Sequence, residues 1–522
     1  MPFMGMKKEE ETMKRFFNAM VVALALLLAS GTLCAAGTRE AAPVAKAGRP
    51  VITAMVMSFY GTDLANEHSQ TVVQQFEDYT NTTVKFQWEN NDVYTEKIGL
   101  TLLDVNNMPM LIVNSGNLTA NVVDAAKKGA FWDLAPFLED KAAYPNLAQY
   151  NRGVAAGFTV DGKMIGIYRA RELGRNGMSY RQDWADKVGV NKEPTTVDEF
   201  YDMIYKFTYN DPDGNGKRDT FGIELTKYVG PWDIMQTWFG VGNGWVEQGG
   251  KLVPVHQTAE FMTALKWFRK IYAEGLVRPD WPSVDTGTYG NAIKNGQAGV
   301  LVDVMDSGRR IWDYFDTNKI ASVTDPSKIA SMNLLGPING KTLATAGHNG
   351  YMMISKAGAK TEQDVKNVLH FLDKMNDNTM LLLADRGLEG IQWNLDAEGY
   401  LEPITPSPYT VQNSPQVGLN QIVAYIPNTA STDPTTRLTV REIAQNDAYY
   451  KMRPLAVTNP AAGLLPNSTV QAEVGTQLAQ ILDDARTQYI CGVIDDAGLQ
   501  AAFKTWADRG GTRLVAEINA LR

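Results

Sequence analysis

The sequence predicts an α/β protein of two lobes, and three observations carry that expectation: chain length, apolar content and an opening that reads strand, helix, strand. With 522 residues, 44% hydrophobic and 10% aromatic, the chain can bury one large core or two medium ones, and two lobes of roughly 200 to 250 residues each fit the usual domain scale. Residues 51–57 alternate as a strand does, Val72, Val73, Phe76 and Tyr79 recur at helical spacing, and 84–88 alternates again. That is a βαβ unit. A net charge of −9 without a basic stripe argues against nucleic acid as a partner.

A targeting segment stands ahead of this unit. Lys14 and Arg15 precede an apolar run over 20–29, and small residues follow around Cys34-Ala35-Ala36-Gly37, the layout of an export signal. The run is short for a membrane span, and no other stretch approaches the length required. Two processing routes stay open, lipidation of Cys34 and cleavage after Ala36. Leu33 departs from the small residue that precedes a lipoprotein cysteine, whereas 39–48 (REAAPVAKAG) reads as a mobile tether and favours a lipid anchor. By either route Cys491 is left alone, and no disulfide forms.

Taken in order, the chain then predicts a helix over 92–103, a short strand over 110–113 ending at Asn114-Ser115-Gly116, and a hairpin and strand over 162–167 that lead to a crossing between lobes. Thr196-x-x-Glu199 is a capping box, followed by Phe200, Met203, Ile204 and Phe207 on one helical face. A second helix runs over 258–275, capped by Thr258 and stopped by Gly275, with Phe261, Leu265, Phe268 and Ile271 inward. Residues 299–302 read as a buried strand, 361–383 as two helices, and 403–415 as a proline-rich surface excursion. Amphipathic helices over 470–489 and 499–521 end the chain.

Between the capping-box helix and Gly222 lies a metal-type loop. Asp211, Asp213, Asn215 and Asp219 put side-chain oxygens at alternate positions around Gly216, with the main-chain carbonyl of Lys217 between them. This is the first three quarters of an EF-hand calcium loop. Gly222 stands where a bidentate Glu is expected, so a further ligand would come from Glu224, another segment or water. An ordinary Gly/Asp/Asn turn uses the same residues and stays open.

Residues 168–222 closely resemble the run R-A-R-x-L-x-R-N-G-x-x-Y-R-x-D-W-x-D-K-x-G, then D-P-D-G-N-G-K-x-D-T-x-G, of bacterial extracellular solute-binding proteins of family 1, the substrate receptors of carbohydrate ABC importers. Lys127 to Leu134 (KKGAFWDL) and Gly387 to Trp393 (GLEGIQW) extend the likeness. The resemblance implies a periplasmic-binding-protein-like type II fold, two lobes joined by a hinge with a ligand cleft between them. The return crossings it implies put 50–168 and 300–347 in the first lobe, 169–299 and 348–522 in the second. It also implies an oligosaccharide ligand, permease subunits as membrane partner, a structural calcium ion in the loop, and a monomer.

Enzyme signatures are mostly absent. The four histidines (His68, His256, His348, His370) lack the H-E-x-x-H spacing, no G-x-S-x-G elbow occurs, and Gly336 to Thr342 is one residue short of a phosphate loop. Carboxylates are plentiful, so a calcium-dependent secreted glycan-active enzyme remains a rival, as does a sugar receptor feeding a sensor kinase. Sugar rings stack on aromatic planes, and Trp232 and Trp245 by their Gly/Pro context, Trp281 and Trp393 also by motif, are the candidates. Core packing is the alternative for each, and Trp267, at helical spacing, reads as core. Arg169, Arg171 and Arg175 sit at the crossing, either as ligand forks or as hinge ion pairs with Glu172 or Asp183.

Overall fold

The computed structural model describes residues 48–58, 66–104, 107–410, 413–427 and 436–522. The expected targeting segment and Cys34 lie outside them. The α/β body spans Ile52–Arg522. No helix among the described residues is long and apolar enough to cross a membrane.

The opening alternates as expected: β1 (Val51–Ser58), α1 (Ser69–Thr80), β2 (Thr83–Asn90), α2 (Asn91–Leu103) and β3 (Leu111–Asn114). Val72, Val73 and Phe76 of α1 point inward, whereas Tyr79 is 43% exposed and donates its hydroxyl to Asp377 at 2.8 Å. A hairpin at Thr159–Val160 and Lys163–Met164 leads into β4 (Ile167–Ala170). The chain then builds β5 (Asn176–Arg181), α3 (Val197–Tyr209), β6 (Phe221–Ile223), α4 (Gly230–Thr237), α5 (Ala259–Ala273), β7 (Ala298–Val304), α6 (Met305–Thr317) and β8 (Met332–Gly336). In α3 the Thr196 and Glu199 capping box forms, and Phe200, Met203, Ile204 and Phe207 are all buried. The Thr258 hydroxyl caps α5, accepting from the Phe261 amide.

β9 (His348–Ile354), α7 (Glu362–Lys374) and α8 (Asn378–Arg386) come next, then α9 (Val440–Met452), α10 (Thr469–Ile490), α11 (Asp496–Trp506) and α12 (Thr512–Ala520). One continuous helical pattern over 499–521 becomes two helices. Gly510 between them takes φ 124°, and a side chain at Gly511 would stand 2.2 Å from the Trp506 ring.

These elements form two main sheets, in the orders β2-β1-β3-β9-β4 and β8-β5-β7-β6. The first sheet's core runs from Ile52 to Ala170 and from Tyr351 to Ile426. The second gathers β5 through Ile338 together with residues of α9, α10 and α11. The two-lobed α/β expectation holds, but the expected membership does not. β7 pairs with β5 and β6 in the second sheet, so the 300–347 segment is not part of the first lobe. The return is made by 337–347 into β9, whose partners are β3 and β4, which puts 348–426 with the first sheet. An apolar run buried on both faces suits the centre of either sheet, and its pattern does not say which.

Candidate functional site

Strand direction places the site. β3 runs parallel to β1, and β9 antiparallel to both β3 and β4, so the carboxyl ends of β1, β3 and β4 share an edge with the amino end of β9. In the second sheet the carboxyl ends of β6, β7 and β8 share an edge with the amino end of β5. Segments 171–175 and 337–347 join these two edges. In open α/β sheets the crevice outside the strands' carboxyl ends is where ligands bind.

The two segments run side by side. The Arg171 amide donates to the Gly347 carbonyl at 2.9 Å, the Thr345 amide to Leu173 at 3.0 Å, and the Thr345 hydroxyl to the Glu172 carbonyl at 2.8 Å. Side chains brace them from outside. Arg453 forks onto Glu172 at 3.0 and 2.5 Å, and Arg175 onto Asp306 at 2.8 Å twice. Asp306 also receives Arg310 at 2.7 Å and the Tyr449 hydroxyl at 3.1 Å. Burial works to raise the Asp306 pKa, but the Arg175 hydrogen bond and the charges of Arg175 and Arg310 outweigh it and hold the carboxyl below its ordinary range. Gly174 leaves no room for a side chain, since a Cβ there would lie 2.3 Å from the Arg453 nitrogen.

The three arginines of the crossing therefore differ. Arg175 is an ion-pair residue, though its partner is Asp306; Asp183 is held by Arg181 at 2.6 and 3.0 Å. Arg169 is 2% exposed and donates to the carbonyls of Asn349 (3.1 Å) and Asn420 (3.4 Å), while its Nε finds no partner. Burial, with Arg171 adding, lowers its pKa to about 10. Arg171 bonds the Ala170 carbonyl at 2.8 Å and lies 5.4 Å from the centre of the Tyr425 ring. It is half-buried, and neither of these two guanidiniums forks onto a carboxylate. His348, at the amino end of β9, meets Phe158 edge-on at 4.7 Å, and burial lowers its pKa to about 4.

The four tryptophans fall into three separate places. Trp232 and Trp281 are 1% and 2% exposed, 5.0 Å from each other and packed with Phe268 in the second core. Trp245 belongs to a separate cluster with Trp506 and Leu514. Trp393 is buried and donates Nε1 to the Gly387 carbonyl at 3.0 Å. The structure thus does not gather the four into one site. Aromatic side chains that do sit at a carboxyl edge are Tyr228 and Tyr289, which sequence reasoning passes over; their nearness to the ends of β6 and β7 is the signal that could have found them.

The metal-type loop folds on itself. Asp211, Gly214 and Gly216 adopt φ of 52°, 73° and 75°. Both Asp211 oxygens accept the Gly216 amide at 3.2 and 3.1 Å. The Asn215 Nδ2 donates to Asp213 at 2.7 Å and to the two Asp219 oxygens at 3.2 and 3.3 Å. Burial first, then the Asp211 contact and the charges of Asp219 and Asp211, pushes the Asp213 carboxyl above its usual range. Two acidic side chains, Asp213 and Asp219, thus meet at one neutral amide, with Asp211 on the neighbouring Gly216 N–H, and clustered acidic oxygens are what a hard cation suits. As folded, however, the oxygens serve the loop's own N–H groups, and no three His, Cys, Asp or Glu among the described residues are gathered to hold a metal. Glu224 is not the missing ligand. Its Oε1 accepts the amides of Gly290 (2.9 Å) and Ala292 (3.2 Å). Gly222 replaces the expected Glu because a Cβ there would meet the Ile204 carbonyl oxygen at 2.4 Å.

Comparison with known proteins fits this architecture. The sequence model of "Bacterial extracellular solute-binding protein" matches residues 65–377. The chain belongs to that family. "Lipoprotein LipO" of Bacillus subtilis is 34% identical over 460 residues, 86% of this chain and 88% of the relative. The "Polygalacturonan/rhamnogalacturonan-binding protein YtcQ" of the same organism is 28% identical over 455 residues, 85% of this chain and 86% of the relative. In solved form, the Streptococcus pneumoniae ABC-transporter substrate-binding protein FusA, an EF-hand mutant in complex with fructo-nystose, superposes with TM-score 0.57 at 16% identity, covering 90% of this chain and 98% of that one. This family fold is the type II arrangement of two sheets about a crevice. Its members are described as binding proteins.

Proposed function

We propose that this solute-binding protein is an extracytoplasmic receptor that captures an oligosaccharide at the joined carboxyl edges of its sheets and passes it to the permease of an ABC importer. The observation that carries the reading is the pairing of two carboxyl edges across two adjacent connecting segments, in a chain whose relatives are named for polygalacturonan binding and for ABC transport. Opening and closing about 171–175 and 337–347 is the motion such receptors use. Arg171 is the ligand-facing arginine of this reading, because its guanidinium has no carboxylate fork, and acidic sugars are the ligands it suits. Arg169, buried and bonded to the Asn349 and Asn420 carbonyls, shapes the edge beside it.

The Asp211 to Asp219 loop takes calcium in this reading, with side chains of Asp211, Asp213, Asn215 and Asp219 and the Lys217 carbonyl as ligands. The Asn215 amide turns over to present its oxygen. The ion is structural. Lipidation at Cys34 holds the receptor at the membrane, as the name of the relative LipO suggests, and the protein acts as a monomer.

A thermal-shift screen over neutral and acidic oligosaccharides tests the reading, because a ligand bound by the native state alone raises the melting temperature. Stabilisation by at least one oligosaccharide, recovered intact, is the expected result. Cleaved products would turn the assignment towards a glycan-active enzyme, and no stabilisation across the screen would remove the sugar reading.

A further inference from the structure

The second sheet's carboxyl edge carries a group of side chains that has no part in bracing the crossing. Asp303 is the next-to-last residue of β7, in register with Gly177 one step inside the crossing, and the Met305 amide just beyond it donates to the Arg175 carbonyl at 2.9 Å. Burial, with the Asp306 charge adding, raises the pKa of the Asp303 carboxyl, against the Val304 amide and the Ser307 hydroxyl nearby. Tyr228 lies just past the end of β6. Its ring covers the main chain of Gly230, where a Cβ would come within 2.3 Å of the phenol oxygen. Tyr289 stands against it edge to face at 5.7 Å and is fixed by its hydroxyl, which donates to the Val302 carbonyl at 2.8 Å. Both rings are half-buried. Behind them Glu224 is 4% exposed; its Oε1 is held by main-chain amides, while Oε2 is buried with no hydrogen-bond partner. That orphan oxygen marks a polar position the fold itself does not satisfy.

The charges here oppose those across the crossing. Arg171 and Arg169 make the first sheet's edge cationic. At the second, Arg175 and Arg310 pair with Asp306 and Lys227 with Asp285 at 3.3 Å, so neither Asp303 nor Glu224 has a direct ion pair, and the charges of Arg310 and Arg278 reach them only from farther off. Carboxylates accept hydrogen bonds and donate none while ionised. Such an edge suits a group rich in hydroxyl donors and disfavours a second carboxylate, and a phenol ring offers the apolar C–H face of a pyranose a surface. We infer that Asp303, Tyr228 and Tyr289 form a subsite for a neutral sugar ring, Asp303 accepting from its hydroxyls and Tyr228 stacking on its face. An acidic residue of the same oligosaccharide is held at Arg171, so the ligand binds in one orientation. The inference rests on the receptor reading and adds to it the identity of one subsite.

Calorimetric titration of wild type, Asp303→Asn and Tyr228→Ala separates the two. The probes are maltotriose, kestose, trigalacturonate and the trimethyl ester of trigalacturonate. Asp303→Asn keeps the side chain's shape and one acceptor oxygen, so the fold is retained, which a melting curve verifies. For the neutral probe that wild type binds, both variants lose about tenfold or more in affinity, the scale of one charged hydrogen bond. Asp303→Asn also shifts the ratio of affinities for trigalacturonate and its ester towards the acid, because a like charge has gone. Neutral-probe affinity and acid-to-ester ratio both unchanged in a folded Asp303→Asn would overturn the subsite and leave the receptor standing. A wild type that binds none of the four and is stabilised by no oligosaccharide would overturn both.

Discussion

The connecting segment 171–175 and the loop from Asp211 to Asp219 lie within a few dozen residues of each other, and both are built from charged side chains, yet they are held together in opposite ways. The crossing is braced from afar: Arg175 pairs with Asp306 across 131 positions and Glu172 with Arg453 across 281. The loop is braced from within, by Asp211, Asp213 and Asn215 bonding groups two to five positions away. A crossing between lobes has to be fixed by whatever each lobe presents to it, whereas the loop draws its partners from its own run of residues. Sequence spacing reports the second kind of structure and is silent on the first.

The largest break in this comparison comes from the crossing. Asp306→Ala removes the partner of Arg175, Arg310 and the Tyr449 hydroxyl at once and leaves a largely buried guanidinium uncompensated, a loss of about 3 kcal/mol in urea unfolding. The charge has a pH signature as well. Because the folded pKa of Asp306 is depressed, its stabilisation is present above the ordinary carboxylate value of about 4 and is lost as pH falls through the depressed folded value. The gap in stability between wild type and Asp306→Asn, followed by urea melts, should therefore be constant at neutral pH and close progressively below about pH 4. A gap that widens in acid would mean that burial, rather than the ion pair, governs this carboxyl.

Gly174→Ala breaks the same segment through its backbone. The new methyl meets the main chain of Met452 and Arg453 at 2.3 to 2.7 Å, and neither can yield as a flexible side chain would. Overpacking of this kind costs about 1 to 3 kcal/mol, and because it pushes the crossing away from α9 it should also weaken oligosaccharide binding. An alanine variant with wild-type melting and wild-type affinity would show that the crossing has slack.

Legibility follows the same division. The opening βαβ unit, the capping box at Thr196 and the Thr258 cap are readable because periodicity and caps are local. The arginines are visible at the crossing, but Asp306, which decides the role of Arg175, lies far along the chain. The misplacing of β7 in the first lobe has the same cause: 298–302 is buried on both faces, and partner choice is a tertiary fact. Trp232 and Trp281 stand beside Pro231 and Pro282, and Gly and Pro there mark tight entries to helical turns around rings packed in the core. Asp303 and Tyr228 become candidates once strand directions show which ends meet.

The smallest effect is expected in the loop, and it reverses sign with calcium. Asp213 is pushed above the usual carboxylate range by burial and by its acidic neighbours, so in the metal-free protein the ionised side chain opposes folding at neutral pH and the opposition is relieved as pH falls through the raised folded pKa. Asp213→Asn removes that charge without changing shape. In chelator, the variant should melt at or slightly above the wild-type temperature. With calcium at about ten times its dissociation constant, wild type should gain about 1.4 kcal/mol from mass action, and the variant, short of one anionic ligand, should gain less. The order of the two proteins then inverts between chelator and calcium. A bare turn predicts no inversion, because its acidic side chains would repel one another equally in both buffers, and identical calcium responses in wild type and Asp213→Asn would reduce the loop to that.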